Sequence, residues 1–156
     1  MIDVHYLIQL NGGEIGGYFK EYGLTNSFSG PDPHHFLQDV SQLIAFLEKY
    51  EYTGSTVEMK EMLHLKTGLA YLENNRLLTA GEFIQHPLFA LFRRIPIDPQ
   101  EAYAANCIYV NGTVLVPAGY PLTQAKIEAL GLPTLPVDTS EFRKLDGGLS
   151  CLSLRF

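Results

Sequence analysis

Cys107-Ile108-Tyr109-Val110-Asn111-Gly112-Thr113-Val114-Leu115-Val116 is the stretch that decides the fold. Two runs rich in β-branched residues flank Asn111-Gly112, the pair that best tolerates the positive φ angles of a type I′ turn, so an antiparallel hairpin is expected here. Downstream, Thr123 to Leu130 takes helical character from Ala125, Ile127, Ala129 and Leu130, and Gly131 stands at a natural helix stop. Thr134-Leu135-Pro136-Val137 then reads as a short strand. Hairpin, helix and strand make one ββαβ unit.

The same order recurs upstream. Gly68-Leu69-Ala70-Tyr71-Leu72 and Leu77-Leu78-Thr79-Ala80 flank the polar turn Glu73-Asn74-Asn75-Arg76, Gly81 to Phe92 supplies a helix or helical turn, and Arg94-Ile95-Pro96-Ile97 supplies a strand. The two hairpin turns lie 37 residues apart. A unit of this kind cannot bury its own sheet face, so its repetition implies stacking or radial packing around a shared centre. The expected fold class is therefore α/β with repeated ββαβ modules, two full copies and a partial one being visible. Closure by radial repetition would need further modules, either on an incomplete chain or through association.

Before the modules, Ser55-Thr56-Val57-Glu58-Met59 alternates like a strand, and Phe36, Val40, Leu43, Ile44 and Leu47 recur on one helical face, predicting a helix from about 35 to 50. Residues 1–34 carry Gly12-Gly13, Gly16-Gly17, Gly23 and Gly30-Pro31-Asp32-Pro33 without a sustained period, and are expected to be irregular and loop-rich. The whole of 1–156 is read as a single domain, with the modules in 35–156.

Composition narrows the partners. At 156 residues with 46% apolar and 18% charged side chains, the chain is long enough for a real core and too apolar for disorder. Seventeen acids against eleven bases give a net charge of -6, and no more than two bases are ever adjacent. Nucleic acid and anionic membrane, which both rely on a concentrated positive field, are excluded as partners, whereas a cationic small molecule suits the charge. The longest apolar runs fall well short of the roughly 20 residues that span a bilayer, and Met1-Ile2-Asp3-Val4-His5 lacks a signal-peptide start, so a cytoplasmic location is expected.

Two cysteines cannot build a disulfide framework, and neither has a Cys or His at zinc-ligand spacing. Cys151 follows Gly147-Gly148-Leu149-Ser150, where two glycines let the backbone approach a ligand closely, and precedes the alternating Leu152, Leu154 and Phe156. Cys107, inside an apolar hairpin strand, reads as a buried structural thiol. His64 lies between Leu63 and Leu65, a setting in which a histidine is more often partly buried than catalytic, while His34-His35 and His86 read as surface residues. Spacing alone does not link His64 to Cys151.

Four ordered blocks between Glu61 and Phe156 resemble the dimethylarginine dimethylaminohydrolases, members of the guanidino-group modifying, or amidinotransferase-fold, superfamily. The blocks are 63–72, beginning Leu63-His64-Leu65-Lys66-Thr67-Gly68; Tyr103-Ala104-Ala105-Asn106-Cys107-Ile108; Pro117-Ala118-Gly119-Tyr120-Pro121; and 138–151, ending Leu145-Asp146-Gly147-Gly148-Leu149-Ser150-Cys151. The resemblance implies a propeller of five ββαβ modules, the pentein fold, of which this chain holds part. It also implies that Cys151 is the nucleophile and His64 the general acid and base. Leu145 takes a place whose backbone carbonyl faces substrate in the family, with Asp146 beside it. Asn11-Gly12-Gly13-Glu14-Ile15 corresponds to the family's Glu-(Ala/Gly)-Gly-Asp segment, which puts Asn11 where a catalytic carboxylate is expected and Glu14 at the neighbouring acid. Leu24-Thr25-Asn26 corresponds to an Arg-Thr-Asn, with the arginine that binds substrate carboxylate absent.

The reaction so implied is hydrolysis of a methylated arginine to citrulline and dimethylamine through a covalent thiouronium on Cys151, with no metal and no cofactor. A thiol of pKa near 8.5 is only about 3% ionised at pH 7, so the cationic substrate or an imidazolium at His64 must help to ionise it. Family members are considerably longer, and their preceding modules supply acids that grip the guanidinium. A homo-oligomer or such modules would complete the site. Arginine deimination and amidino transfer use the same Cys and His and stay open as alternatives, as does a non-catalytic remnant of the fold.

Overall fold

A computed structural model of the chain describes residues 3–10, 45, 48, 49, 52–59, 61, 62 and 65–150, with the strands 3–10 and 52–59 described by backbone alone. The chain divides into two compact units, Met1–Leu65 and Lys66–Phe156, so the division falls inside the segment that the sequence reading kept whole.

In the first unit, β1 (Asp3–Leu10) and β2 (Tyr52–Met59) form an antiparallel pair running from Asp3 opposite Met59 to Leu10 opposite Tyr52. The second strand contains the predicted Ser55–Met59 run. The first corrects the expectation of an irregular start: residues 3–10 are a regular strand. Val4, Tyr6 and Ile8 favour strand, and their partner lies more than forty residues away, so no local turn announces the pairing. Of the predicted 35–50 helix, Ala45 and Glu48 are helical and exposed, and the rest lies outside the described residues, as does 11–34.

The second unit contains the two modules. In the first, β3 (Leu69–Tyr71) and β4 (Arg76–Thr79) pair antiparallel, and β5 (Arg93–Pro96) adds to β4 in parallel. In the second, β6 (Ile108–Val110) and β7 (Thr113–Pro117) pair antiparallel, and β8 (Thr134–Val137) adds to β7 in parallel. Both sheets therefore have the order hairpin, then crossover to the hairpin's second strand. The repeat read from the sequence is the repeat of the structure.

Each turn is built as its residues require. Asn111 and Gly112 sit at φ 49° and 80°, the left-handed pair of a type I′ turn. Glu73, Asn74 and Asn75 all take positive φ, and the turn closes with the Leu72 N–H donating to the Arg76 carbonyl at 2.9 Å. Asparagine tolerates this region better than most side chains, which suits the second and third positions.

The crossovers differ. In the second module it is an α-helix, Pro121–Glu128, with proline at its first position, where a missing N–H costs nothing, and it begins two residues before the predicted Thr123. In the first it is two 3-10 turns, Gly81–Ile84 and Pro87–Phe89. Pro87 disfavours a helical His86 and cannot donate, which breaks any continuous helix. His86 accordingly has extended backbone, accepts a hydrogen bond from the Leu88 N–H through Nδ1, and packs 5.3 Å from the Phe89 ring. It is half-buried as a cap, where the sequence suggested an ordinary surface residue.

Leu77, Leu78 and Thr79 are buried in succession on β4, the signature of a central strand covered on both faces. Around them the core comprises Leu69, Leu72, Phe83, Phe89, Val114, Val116 and Ile127. Each such side chain contributes about 1.5–3 kcal/mol on burial. Polar ties join the modules as well. Arg76 Nη1 donates to the Leu130 carbonyl at 3.1 Å, and Lys126 Nζ donates to the Pro96 carbonyl at 2.6 Å.

Candidate active site

The segment between Asp138 and Ser150 contains the described residues that the resemblance assigns to substrate. It begins in a side-chain turn: Asp138 Oδ1 accepts from the Ser140 N–H at 2.9 Å, and hydrogen bonding from Ser140 holds the Asp138 carboxyl below its ordinary value. A single helical turn follows, Ser140–Arg143. It ends as Leu145 and Gly147 both donate their N–H groups to the Phe142 carbonyl, at 3.0 and 2.9 Å, with Asp146 left-handed at φ 55°. Leu145 is 82% exposed and so contributes nothing to the core of its unit, and Asp146 beside it is exposed too. Both predicted residues thus occupy one tight, outward-facing turn.

Behind that turn the chain is held from a different element. Tyr103, in the 3-10 segment Pro99–Ala105, donates its hydroxyl to the Gly147 carbonyl at 2.8 Å. Asn106 caps that segment, is only 5% exposed, and accepts the Ser150 N–H through Oδ1 at 2.8 Å. Between these two bonds, Gly148 lies so close to Asn106 that a Cβ on it would fall 2.5 Å from Asn106 Cγ. Leu149 is buried. The Tyr103 ring is itself fixed, lying 5.7 Å from the Tyr120 ring with the Arg143 guanidinium 5.2 Å from its centroid.

The same 3-10 segment is anchored at its other end by Glu101, 7% exposed. Its two carboxylate oxygens accept the N–H groups of Leu122, at 3.1 Å, and Thr123, at 2.6 Å, at the start of the Pro121–Glu128 helix. Those are donors with no partner inside the helix, and the anion faces the positive end of the helix dipole. Burial pushes the Glu101 carboxyl up, but the donors of Thr123 and Leu122 outweigh it and leave the carboxyl below its ordinary value.

A shallow open groove of about 310 Å³ runs past Tyr120, Asp138 and Ser140 to Arg143 and Lys144. Arg143 Nη1 donates to the Tyr120 hydroxyl, and Lys144 pairs with Glu141 at 2.6 Å. The groove is edged by two cations, Arg143 and Lys144, and by the Asp138 carboxylate.

Cys151, His64 and Glu14 lie outside the described residues, as do Asn11 and Leu24. Cys107 is 1% exposed, as expected of a structural thiol, and stands immediately before β6 rather than within it. Glu101 and the pair Tyr103 and Asn106 were not singled out as individual residues by sequence reasoning. Tyr103 and Asn106 do lie in one of the four blocks that carried the resemblance.

Two three-stranded modules of identical strand order have the architecture of the guanidino-group modifying α/β-propellers, here as part of a propeller with no closed ring among the described residues. An arginine dihydrolase from cyanobacteria shares that fold at 23% identity and TM-score 0.51, over 62% of this chain and 17% of its own. No protein-family model matches the chain. The dimethylarginine dimethylaminohydrolase of Pseudomonas aeruginosa is 59% identical over 115 residues, 74% of this chain and 45% of its own length. A crystal structure of a cysteine-to-serine variant of that enzyme, complexed with citrulline, matches at TM-score 0.72 and 58% identity, over 74% of this chain and 46% of that one. A histidine-to-glycine variant of a dimethylarginine dimethylaminohydrolase, in adduct with S-methyl-L-thiocitrulline, matches at TM-score 0.74 and 52% identity, over 85% of this chain and 48% of that one. These matches support a dimethylarginine dimethylaminohydrolase family assignment over the matched part of the chain. It spans about half the length of the curated relatives it matches.

Proposed function

We propose that this chain carries the Cys-His half of a site that hydrolyses methylated arginine to citrulline and dimethylamine. One observation carries the reading further than family membership. His64 and Cys151 stand 87 positions apart, and the histidine and cysteine replaced in the two dimethylarginine dimethylaminohydrolase structures are numbered with the same separation.

In this proposal the Cys151 thiolate attacks the guanidinium carbon, and the C–N bond to dimethylamine breaks as His64 protonates the leaving nitrogen. His64 then takes a proton from water, the hydroxide attacks the thiouronium carbon, and expulsion of the thiolate leaves citrulline. The Leu145 carbonyl and Asp146, on their outward-facing turn, and Glu14 act on the substrate cation. Acids that complete its grip belong to modules matching the rest of the relatives' length or to a second copy of the chain. A cytoplasmic location is part of the same reading.

The test is citrulline release from dimethylarginine and from arginine in parallel, by the chain and by Cys151→Ser. Turnover of dimethylarginine that Cys151→Ser abolishes supports the proposal, and the isolated monomer is expected to be slow because it binds the cation weakly. Release from arginine alone would replace the reading with a deiminase.

A further inference from the structure

We propose that Tyr103 and Asn106 are positioning residues for the nucleophile: they clamp the backbone from Gly147 to Ser150 and thereby fix where Cys151, the next residue, presents its thiol. This rests on the assignment of Cys151 as nucleophile.

A thiolate must meet a flat amidinium carbon along a narrow approach, and a displacement of about 1 Å costs roughly a hundredfold in rate. Gly147-Gly148 is poorly suited to hold such a group, because glycine has the most backbone freedom to lose. The structure supplies the missing restraint at both ends of this four-residue approach. The Tyr103 hydroxyl donates to the Gly147 carbonyl and Asn106 Oδ1 accepts the Ser150 N–H, each at 2.8 Å. Gly148 closes against the Asn106 side chain between them, with no room for a Cβ.

Both clamps come from one short stretch of backbone, the end of the Pro99–Ala105 segment and its cap. Ala104 and Ala105 are fully buried, the Asn106 N–H donates to the Tyr103 carbonyl at 3.2 Å, and Glu101 ties the same segment to a helix N-terminus. Tyr103 is further held by Tyr120 and Arg143. Each link from that helix to Ser150 is thus a hydrogen bond, a buried contact or a covalent bond. Neither Tyr103 nor Asn106 is assigned any contact with substrate, and their effect passes through the backbone to which Cys151 is joined.

The test uses the full chain and three versions of it: the parent, Tyr103→Phe, which deletes one hydroxyl and keeps the ring contacts, and Asn106→Ala. Alkylation of Cys151 by iodoacetamide is followed against pH by peptide mass mapping, with buried Cys107 as an internal reporter of unfolding. We expect the Cys151 rate at pH 7 to change by about fivefold or more in Asn106→Ala, and less in Tyr103→Phe. The pH profile of the Cys151 rate should shift while Cys107 stays protected. Where turnover is measurable, kcat should fall about tenfold with KM unchanged. If Asn106→Ala exposes Cys107, Tyr103→Phe decides by the same readout. Parent-like rates and pH midpoints for Cys151 in a variant that keeps Cys107 protected would overturn the proposal. Absence of citrulline from the parent under all conditions would sink the activity reading alone, since the alkylation profile still decides positioning.

Discussion

The Asn106 side chain fills the space that a Cβ on Gly148 would need, with its Cγ 2.5 Å from that point. Gly148 is therefore required by close approach and not by a left-handed backbone. Gly112 is the opposite case, with φ +80° and nothing within 4 Å of its Cβ position. Gly148→Ala should cost about 1–3 kcal/mol through overpacking. Pairing it with Asn106→Gly should recover part of that cost, a non-additivity that a denaturation cycle over the four proteins would measure. Additive costs would show that the two residues do not compete for space.

Glu101 links stability to pH. Its carboxyl titrates below its ordinary value in the folded chain, so its contribution is fully present above the unfolded pKa of about 4.3 and is lost as pH falls through the folded pKa. Glu101→Gln should cost about 1–2 kcal/mol at pH 7 by weakening the bonds from the Leu122 and Thr123 N–H groups. The gap in melting temperature between parent and variant should close between pH 5 and pH 3. A gap independent of pH would mean that charge plays no part in capping the helix.

Arg76 ties the first module's turn to the end of the second module's helix, where its guanidinium meets the Leu130 carbonyl and a helix C-terminus favours positive charge. Arg76→Met keeps much of the aliphatic stem and removes the charge. A loss of about 1 kcal/mol is expected, reduced at high salt, by chemical denaturation. No loss would mean that the Arg76 bond plays no part in holding the modules together.

The modules were legible because their signals are local. Asn111-Gly112 specifies a turn, Gly131 a helix stop, and Thr134–Val137 a strand with the bounds found. What was missed depends on distance. The pairing of β1 with β2 crosses more than forty residues, and the turn segment Pro99–Ala105 draws its order from buried alanines and from Glu101 reaching a helix more than twenty positions on. The first crossover is divided by Pro87 into two short turns, whose Phe83 and Phe89 rings meet edge to face at 5.9 Å. At the candidate site, the turn around Leu145 and Asp146 was marked by motif. The hydrogen bond that Tyr103 donates and the one that Asn106 accepts span 44 positions each and had no sequence period to reveal them.

Cys151 is proposed here as a nucleophile toward an amidino carbon. The direct measurement is peptide mass mapping after incubation of the chain, and of His64→Gly, with S-methyl-L-thiocitrulline. Attack by the thiolate with departure of methanethiol should leave a covalent adduct on the peptide containing Cys151. It should persist longer in His64→Gly, which lacks the base that activates water, and be absent from Cys151→Ser. An adduct on Cys107, or an unmodified Cys151 in both the parent and His64→Gly, would rule out Cys151 as the nucleophile.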